Sequence, residues 1–187
     1  MAEPLTERRT HSGYSRVAIT LHWLIAVLIL GQVAGALLAE SADRATAGQI
    51  ISLHKSTGLT ILALALFRLG WRIAHGFPRF PESTATWDAV LARGTHYAFY
   101  VLMIAVPLAG WALASSGPWP LSWYGLFDVP KLPVPQGSGK LWGNAHAVLA
   151  FSTVGLLVLH VAGALKHHLV DKDDVLARML PLVRPRR

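Results

Sequence analysis

"NAHAVLAFSTVGLLVLHVAGALKHH", running from Asn144 to His168, sets His146, His160, His167 and His168 in an otherwise apolar stretch. The uncharged run from Leu141 to Leu165 is longer than the roughly 20 residues an α-helix needs to cross a bilayer. His146 and His160 are fourteen residues apart (160 minus 146). On a helix that separation corresponds to about 21 Å of rise and about 320° of net rotation. Both imidazoles therefore lie near one helix face at two different depths, and one membrane helix offers two separate sites.

The rest of the chain follows the same pattern. Of its 187 residues 53% are hydrophobic and only 14% charged, too apolar for an ordinary soluble domain of this length. A second uncharged run spans Val17 to Ala39; a third apolar segment covers about Tyr97 to Ala114. A fourth covers about Ile50 to Trp71, with Lys55 and Arg68 near its ends, where long stems reach the interface. The expected fold is an all-α membrane protein, a four-transmembrane-helix bundle forming a single domain over residues 1–187, with helices at about 17–39, 50–72, 95–115 and 141–168. The first apolar run is too long for a signal-peptide core and reads as a retained helix.

Lys and Arg set the orientation. Arg8, Arg9 and Arg16 precede the first helix, Arg72, Arg79 and Arg93 follow the second, and six more basic residues lie from Lys166 onward. The connection between the first two helices has only Arg44 beside Glu40 and Asp43, so both termini are expected to be cytoplasmic. The net charge of +7 is then an inside bias, and no nucleic-acid partner is needed to explain it. The segment from Ser115 to Lys140, rich in Pro, Gly and Trp, reads as an ordered outer loop with interfacial aromatic anchors.

Cysteine is absent, which excludes disulfides, thiolate ligands and covalent haem attachment. Any metal cofactor falls to histidine. His22 lies six residues inside Arg16 and His160 six before Lys166, so the two share the inner half of the bilayer. His54 precedes Lys55, and His146 is six residues past Lys140, so these share the outer half. Facing neutral imidazoles with no thiolate or carboxylate nearby suit bis-histidine ligation of a b-type haem. The plainer alternative is hydrogen bonding between buried helices, which matched depths for four histidines make less economical. Arg68, fourteen residues after His54, falls on the same face at the inner height, where it would neutralise a haem propionate. Gly58, one turn after His54, would let a porphyrin approach the backbone, whereas Gly31 and Gly35 read equally well as close helix packing.

The stretches "YSRVAITLHWL" (14–24), "LHKSTGLTIL" (53–62), "THYAFYVLMIAVPLAGW" (95–111) and "LHVAGALKHHLVDKDDVLARMLP" (159–181) together resemble the bacterial cytochrome b561 family of four-helix di-haem membrane cytochromes. The resemblance implies a bacterial inner-membrane protein with two non-covalent haem b groups. Their iron ligands would be His22, His54, His146 and His160, and electrons would be exchanged with the quinone pool. For some members it implies oxidoreductase activity, with superoxide oxidised at the outer face and ubiquinone reduced. It also implies an alternative: an anchor subunit passing electrons between a peripheral dehydrogenase or hydrogenase, as protein partner, and quinone.

Within that reading His167, seven residues beyond His160, returns to nearly the same face about 10 Å further toward the cytoplasm. It is a candidate to donate to a quinone carbonyl, or alternatively to bind a haem propionate. Arg16 is expected near the inner propionates with Arg68. His96, just inside Arg93, reads more simply as a solvated interface residue. Lys55, with Lys131 and Lys140, forms a candidate cationic mouth for a small anionic donor such as superoxide; the alternative is that these lysines bind lipid headgroups. A haem-free metal transporter is disfavoured because no Asp or Glu lies in any span and the histidines separate into two heights.

Overall fold

The computed structural model describes residues 14–76 and 86–180. Arg8, Arg9, Arg79 and the last three arginines of the charge argument lie outside the described residues. Four long helices form: α1 (Arg16–Ser41), α2 (Arg44–His75), α3 (Thr86–Ser115) and α4 (Gly139–Lys166), the last continuing into a π-helical turn over His167–Asp171. All four are long and apolar enough to cross a membrane.

Local chemistry explains the helix ends. Ser15 caps α1 by accepting from the Ala18 N–H at 3.2 Å. Asp43 caps α2 by accepting from the N–H groups of Ala45 and Thr46 at 2.9 and 3.1 Å. The Thr46 hydroxyl also donates to Asp43, and these bonds hold the Asp43 carboxyl below its usual range. Since only Ala42 and Asp43 separate α1 from α2, the two must run antiparallel. That cap starts α2 six residues before the expected 50.

Helix α3 starts at Thr86 rather than at about 95, because its first turns carry Asp88 and Arg93 and do not read as apolar. Lys166 of α4 fixes this extension, with its ammonium 3.3 Å from the Asp88 carboxylate and 4.9 Å from the centre of the Trp87 ring.

Helix α1 packs on α2, α2 on α3, and α3 on α4. The apolar core, Ile25, Ile61, Ala65, Tyr100 and Met103, comes from α1, α2 and α3. In α4 only Thr153 is buried among the described residues. Helix α4 therefore leans on α3 and stands off α1 and α2.

The connection from α3 to α4 contains a feature the all-α expectation lacks, an antiparallel hairpin of β1 (Leu121–Trp123) and β2 (Phe127–Val129). Its tight turn needs positive φ at Tyr124 (50°) and Gly125 (73°). Glycine adopts this freely; Tyr124 is held there from outside. Its N–H donates to Ser56 Oγ at 2.9 Å, and its hydroxyl meets Thr57 Oγ1 at the same distance. Trp123 Nε1 donates to Thr60 Oγ1 at 3.1 Å. Three α2 residues just past His54 thus pin the hairpin over one end of the bundle, here called the hairpin end. The opposite end, with residue 14 and the segment following α4, is the terminal end.

Ser56 is 1% exposed, and its hydroxyl also points at the Ser52 carbonyl at 3.1 Å. Ser56→Ala strips the Tyr124 N–H of its partner and should destabilise the protein by about 1–3 kcal/mol. Thr57→Ala, which removes an exposed bond, should have an effect below about 1 kcal/mol. Urea melts in detergent micelles compare the two.

Candidate functional site

The antiparallel packing brings four histidines together as two pairs. His22 of α1 faces His160 of α4 with ring centres 6.2 Å apart, toward the terminal end. His54 of α2 faces His146 of α4 with ring centres 6.0 Å apart, toward the hairpin end. Helix α4 supplies one member of each pair. Both pairs bridge the space between α4 and the helices it does not pack against.

The spacing leaves room for a metal ion between the rings. A first-row metal bonds imidazole nitrogen at about 2.0 Å, and a ring centre lies about 1.1 Å beyond that nitrogen, so two rings ligating one metal from opposite sides would have centres about 6.2 Å apart. Both pairs match this. A direct hydrogen bond between the rings would draw their centres closer, and none links either pair among the described residues.

The second nitrogens are consistent with the same use. His146 Nδ1 lies 3.0 Å from the Val106 carbonyl, which fixes the tautomer with Nδ1 protonated and leaves Nε2 for a metal. Gly110, one turn after Val106 on α3, makes this approach possible: a Cβ there would sit 3.1 Å from both Cε1 and Nδ1 of His146. His54 Nδ1 and Trp142 Nε1 are the buried side-chain polar atoms left without a partner among the described residues. Trp142 precedes His146 by one turn, so the unmet hydrogen-bonding capacity is at the hairpin-end pair. Four imidazoles, no thiolate and an α4 held at arm's length suit b-type haem.

Arg68 reaches the terminal-end pair, as its spacing suggests. It is buried, with one guanidinium nitrogen donating to the Ala18 carbonyl at 3.0 Å and another 3.5 Å from His22 Nδ1. Arg16 is exposed at the start of α1, with no such contact among the described residues. Gly58 lies under the Gln32 side chain, whose amide donates to the His54 carbonyl at 2.9 Å.

His96 departs from the interfacial reading. Its ring lies 5.8 Å from that of His160, with Phe99 on the same imidazole at 5.3 Å. Starting α3 at Thr86 makes the reason visible: His96 is ten residues into the helix, about 15 Å along it and level with His22.

His167 sits in the π-turn beside two carboxylates, Asp173 at 2.7 Å and Asp171 at 3.2 Å from its Nδ1. These three side chains hold their ligand atoms within 4.8 Å of one another, and Lys166 caps the group at 2.8 Å from Asp171. At the hairpin end Lys55 and Lys140 are exposed, while Lys131 is tied down by donating to the Gly117 carbonyl at 2.6 Å.

Residues 13–182, which include all the histidines above, match the family described as prokaryotic cytochrome b561. The chain is 33% identical over 174 residues to cytochrome b561 homolog 2 of Escherichia coli, covering 91% of this chain and 93% of that one. It is 34% identical over 184 residues to cytochrome b562 of Cereibacter sphaeroides, covering 93% and 97%. It is 30% identical over 175 residues to the probable superoxide oxidase CybB of Yersinia pestis, covering 91% and 97%. With the four spanning helices and the facing imidazoles, these matches make the chain a member of the prokaryotic cytochrome b561 family, a multi-pass bacterial membrane protein of electron transfer that binds b-type haem.

Proposed function

We propose that the chain carries electrons across the bacterial inner membrane from a donor at the hairpin end to quinone at the terminal end, as a superoxide:ubiquinone oxidoreductase. The observation that carries this reading is the repetition of one imidazole spacing at both ends of a single face of α4. Two haem b groups are held, one by His54 and His146 and one by His22 and His160. When bound, they supply one-electron carriage between the two membrane faces.

The protein's own residues do the rest. His146, fixed by the Val106 carbonyl, and His54, anchored through a backbone carbonyl that Gln32 grips, present ring nitrogens inward at the hairpin end. Arg68 supplies positive charge beside His22, where haem carboxylates need it. The terminal end is cytoplasmic: Arg16, Arg72, Arg93, Lys166, Lys172 and Arg178 gather there. Lys55 and Lys140 remain exposed to attract an anion at the opposite face. Superoxide as that anion is supported by the name of the Yersinia pestis relative. The balanced reaction is two superoxide plus quinone plus two protons giving two dioxygen plus quinol, with the protons taken up at the cytoplasmic end.

Pyridine haemochrome analysis of the purified protein should approach two haems per chain. His54→Ala should lose one and keep the other. Gly110→Ala should weaken that same site, because its Cβ meets His146 at 3.1 Å, and lower haem retention there while leaving the His22 and His160 haem in place. Loss of the His22 and His160 haem instead, in either variant, would break the pairing.

The donor is tested by stopped-flow reduction of the haems with superoxide across an ionic-strength series. Steering by an exposed lysine requires a rate that falls with salt, as the Debye length shrinks from about 10 Å at 0.1 M to about 3 Å at 1 M. Lys55→Gln should flatten that dependence. No reaction with superoxide at any salt would turn the reading to an anchor subunit fed by a protein partner.

A further inference from the structure

The π-turn at the end of α4 builds more than a helix terminus. After it Lys172 takes a left-handed conformation, φ 55°, unusual for a residue with a Cβ, and turns the chain back onto His167. The N–H groups of Lys172 and Asp173 both donate to the His167 carbonyl, the latter at 3.1 Å. Asp173 then contacts His167 a second time, its Oδ2 lying 2.7 Å from Nδ1. Its other oxygen, Oδ1, accepts from the Val175 N–H at 3.0 Å. Each carboxylate oxygen has its own partner, so the group is fixed before any substrate arrives. Further on, the Met179 carbonyl accepts from Trp23 Nε1 at 2.7 Å, which ties the returning segment to α1.

Asp171 is arranged differently. Its Oδ2 is shared between Lys166 at 2.8 Å and His167 at 3.2 Å, and Lys166 also reaches Asp88. Of the two carboxylates, Asp173 is the one committed to the imidazole. π-Turns occur often at functional sites, and a left-handed residue beside one is held there by surrounding bonds. A left-handed residue is an ordinary helix end, usually a glycine, but the π-turn before it is not required for one.

We propose that Asp173 is a positioning residue that holds His167 with Nδ1 protonated and Nε2 turned to a quinone oxygen, making His167 the proton donor in quinone reduction. This rests on the quinone reading above and names the group that makes it work. The imidazole takes up a proton at Nε2 from water at the cytoplasmic face and passes it to one quinone oxygen as an electron arrives from the donor side. The ring is left neutral with Nδ1–H still on Asp173, and water at the cytoplasmic face returns the proton to Nε2. Two electrons and two protons complete the quinol, the second proton coming by the same route or directly from water.

The test uses full-length, haem-loaded protein in nanodiscs with ubiquinone-1 as the probe. Asp173→Asn should lower kcat for quinone reduction about tenfold and leave KM within about twofold, since positioning of an acid is lost and binding area is kept. Asp173→Glu should restore most of kcat. In ¹⁵N spectra of histidine-labelled protein, Asp173→Ala should convert His167 from the Nδ1–H tautomer to a mixture, an effect that loss of a purely structural contact would not produce. The haem absorbance spectrum of each variant should match the parent. If His167→Gln leaves quinone reduction unchanged, the quinone site lies elsewhere and the underlying reading fails. If His167→Gln slows the reaction while Asp173→Asn keeps kcat or changes only KM, or if the tautomer is unaltered in Asp173→Ala, the positioning role alone is overturned.

Discussion

The separation between α4 and the pair formed by α1 and α2 governs this bundle. Helices α1, α2 and α3 share an apolar core, but α4 buries a single residue, Thr153, and packs closely on α3 alone. A helix so placed takes its side-chain packing from α3, and in lipid the tails are as apolar as its own leucines. What spans the gap is imidazole, at 6.0 Å near one end and 6.2 Å near the other. Under the proposed function, groups bound between those rings would tie α4 to α2 and to α1, and haem binding and the assembly of the fourth helix would be linked equilibria. The same separation that makes room for a cofactor leaves α4 without close packing against α1 and α2.

Much of this was legible because helix rise is constant. His22 and His160 could be set at one depth, and His54 and His146 at another, from their distances to flanking charges, and the structure brings those residues face to face. Arg68 followed from the same count. What escaped depended on where a helix begins or how one surface meets another. The charges at Asp88 and Arg93 hid the first turns of α3, and with them the level of His96. The role of Gly110 depends on which side of α3 faces the His146 ring. The hairpin of Leu121–Val129 was obscured by the prolines around it, and its turn is completed by Ser56 and Thr57, more than sixty residues earlier.

The two ends of the bundle consequently meet water in different ways. At the hairpin end, Ser56, Thr57 and Thr60 fasten a rigid loop directly to the helix that carries His54, so the approach to that pair is shaped by fixed backbone. A one-electron donor needs no more than access and charge, and Lys55 stands exposed beside His54. Quinone chemistry also moves protons, and it is at the terminal end that titratable groups cluster: His167 with Asp171 and Asp173, and Lys166 bridging to Asp88. A carboxylate–imidazole pair within an apolar helix would carry a heavy desolvation penalty. Building it in a π-turn at the helix exit lets the pair, with side chains 15% and 19% exposed, keep partial contact with water. In the proposed function, the π-turn lies where the chain would change from carrying electrons to handling protons.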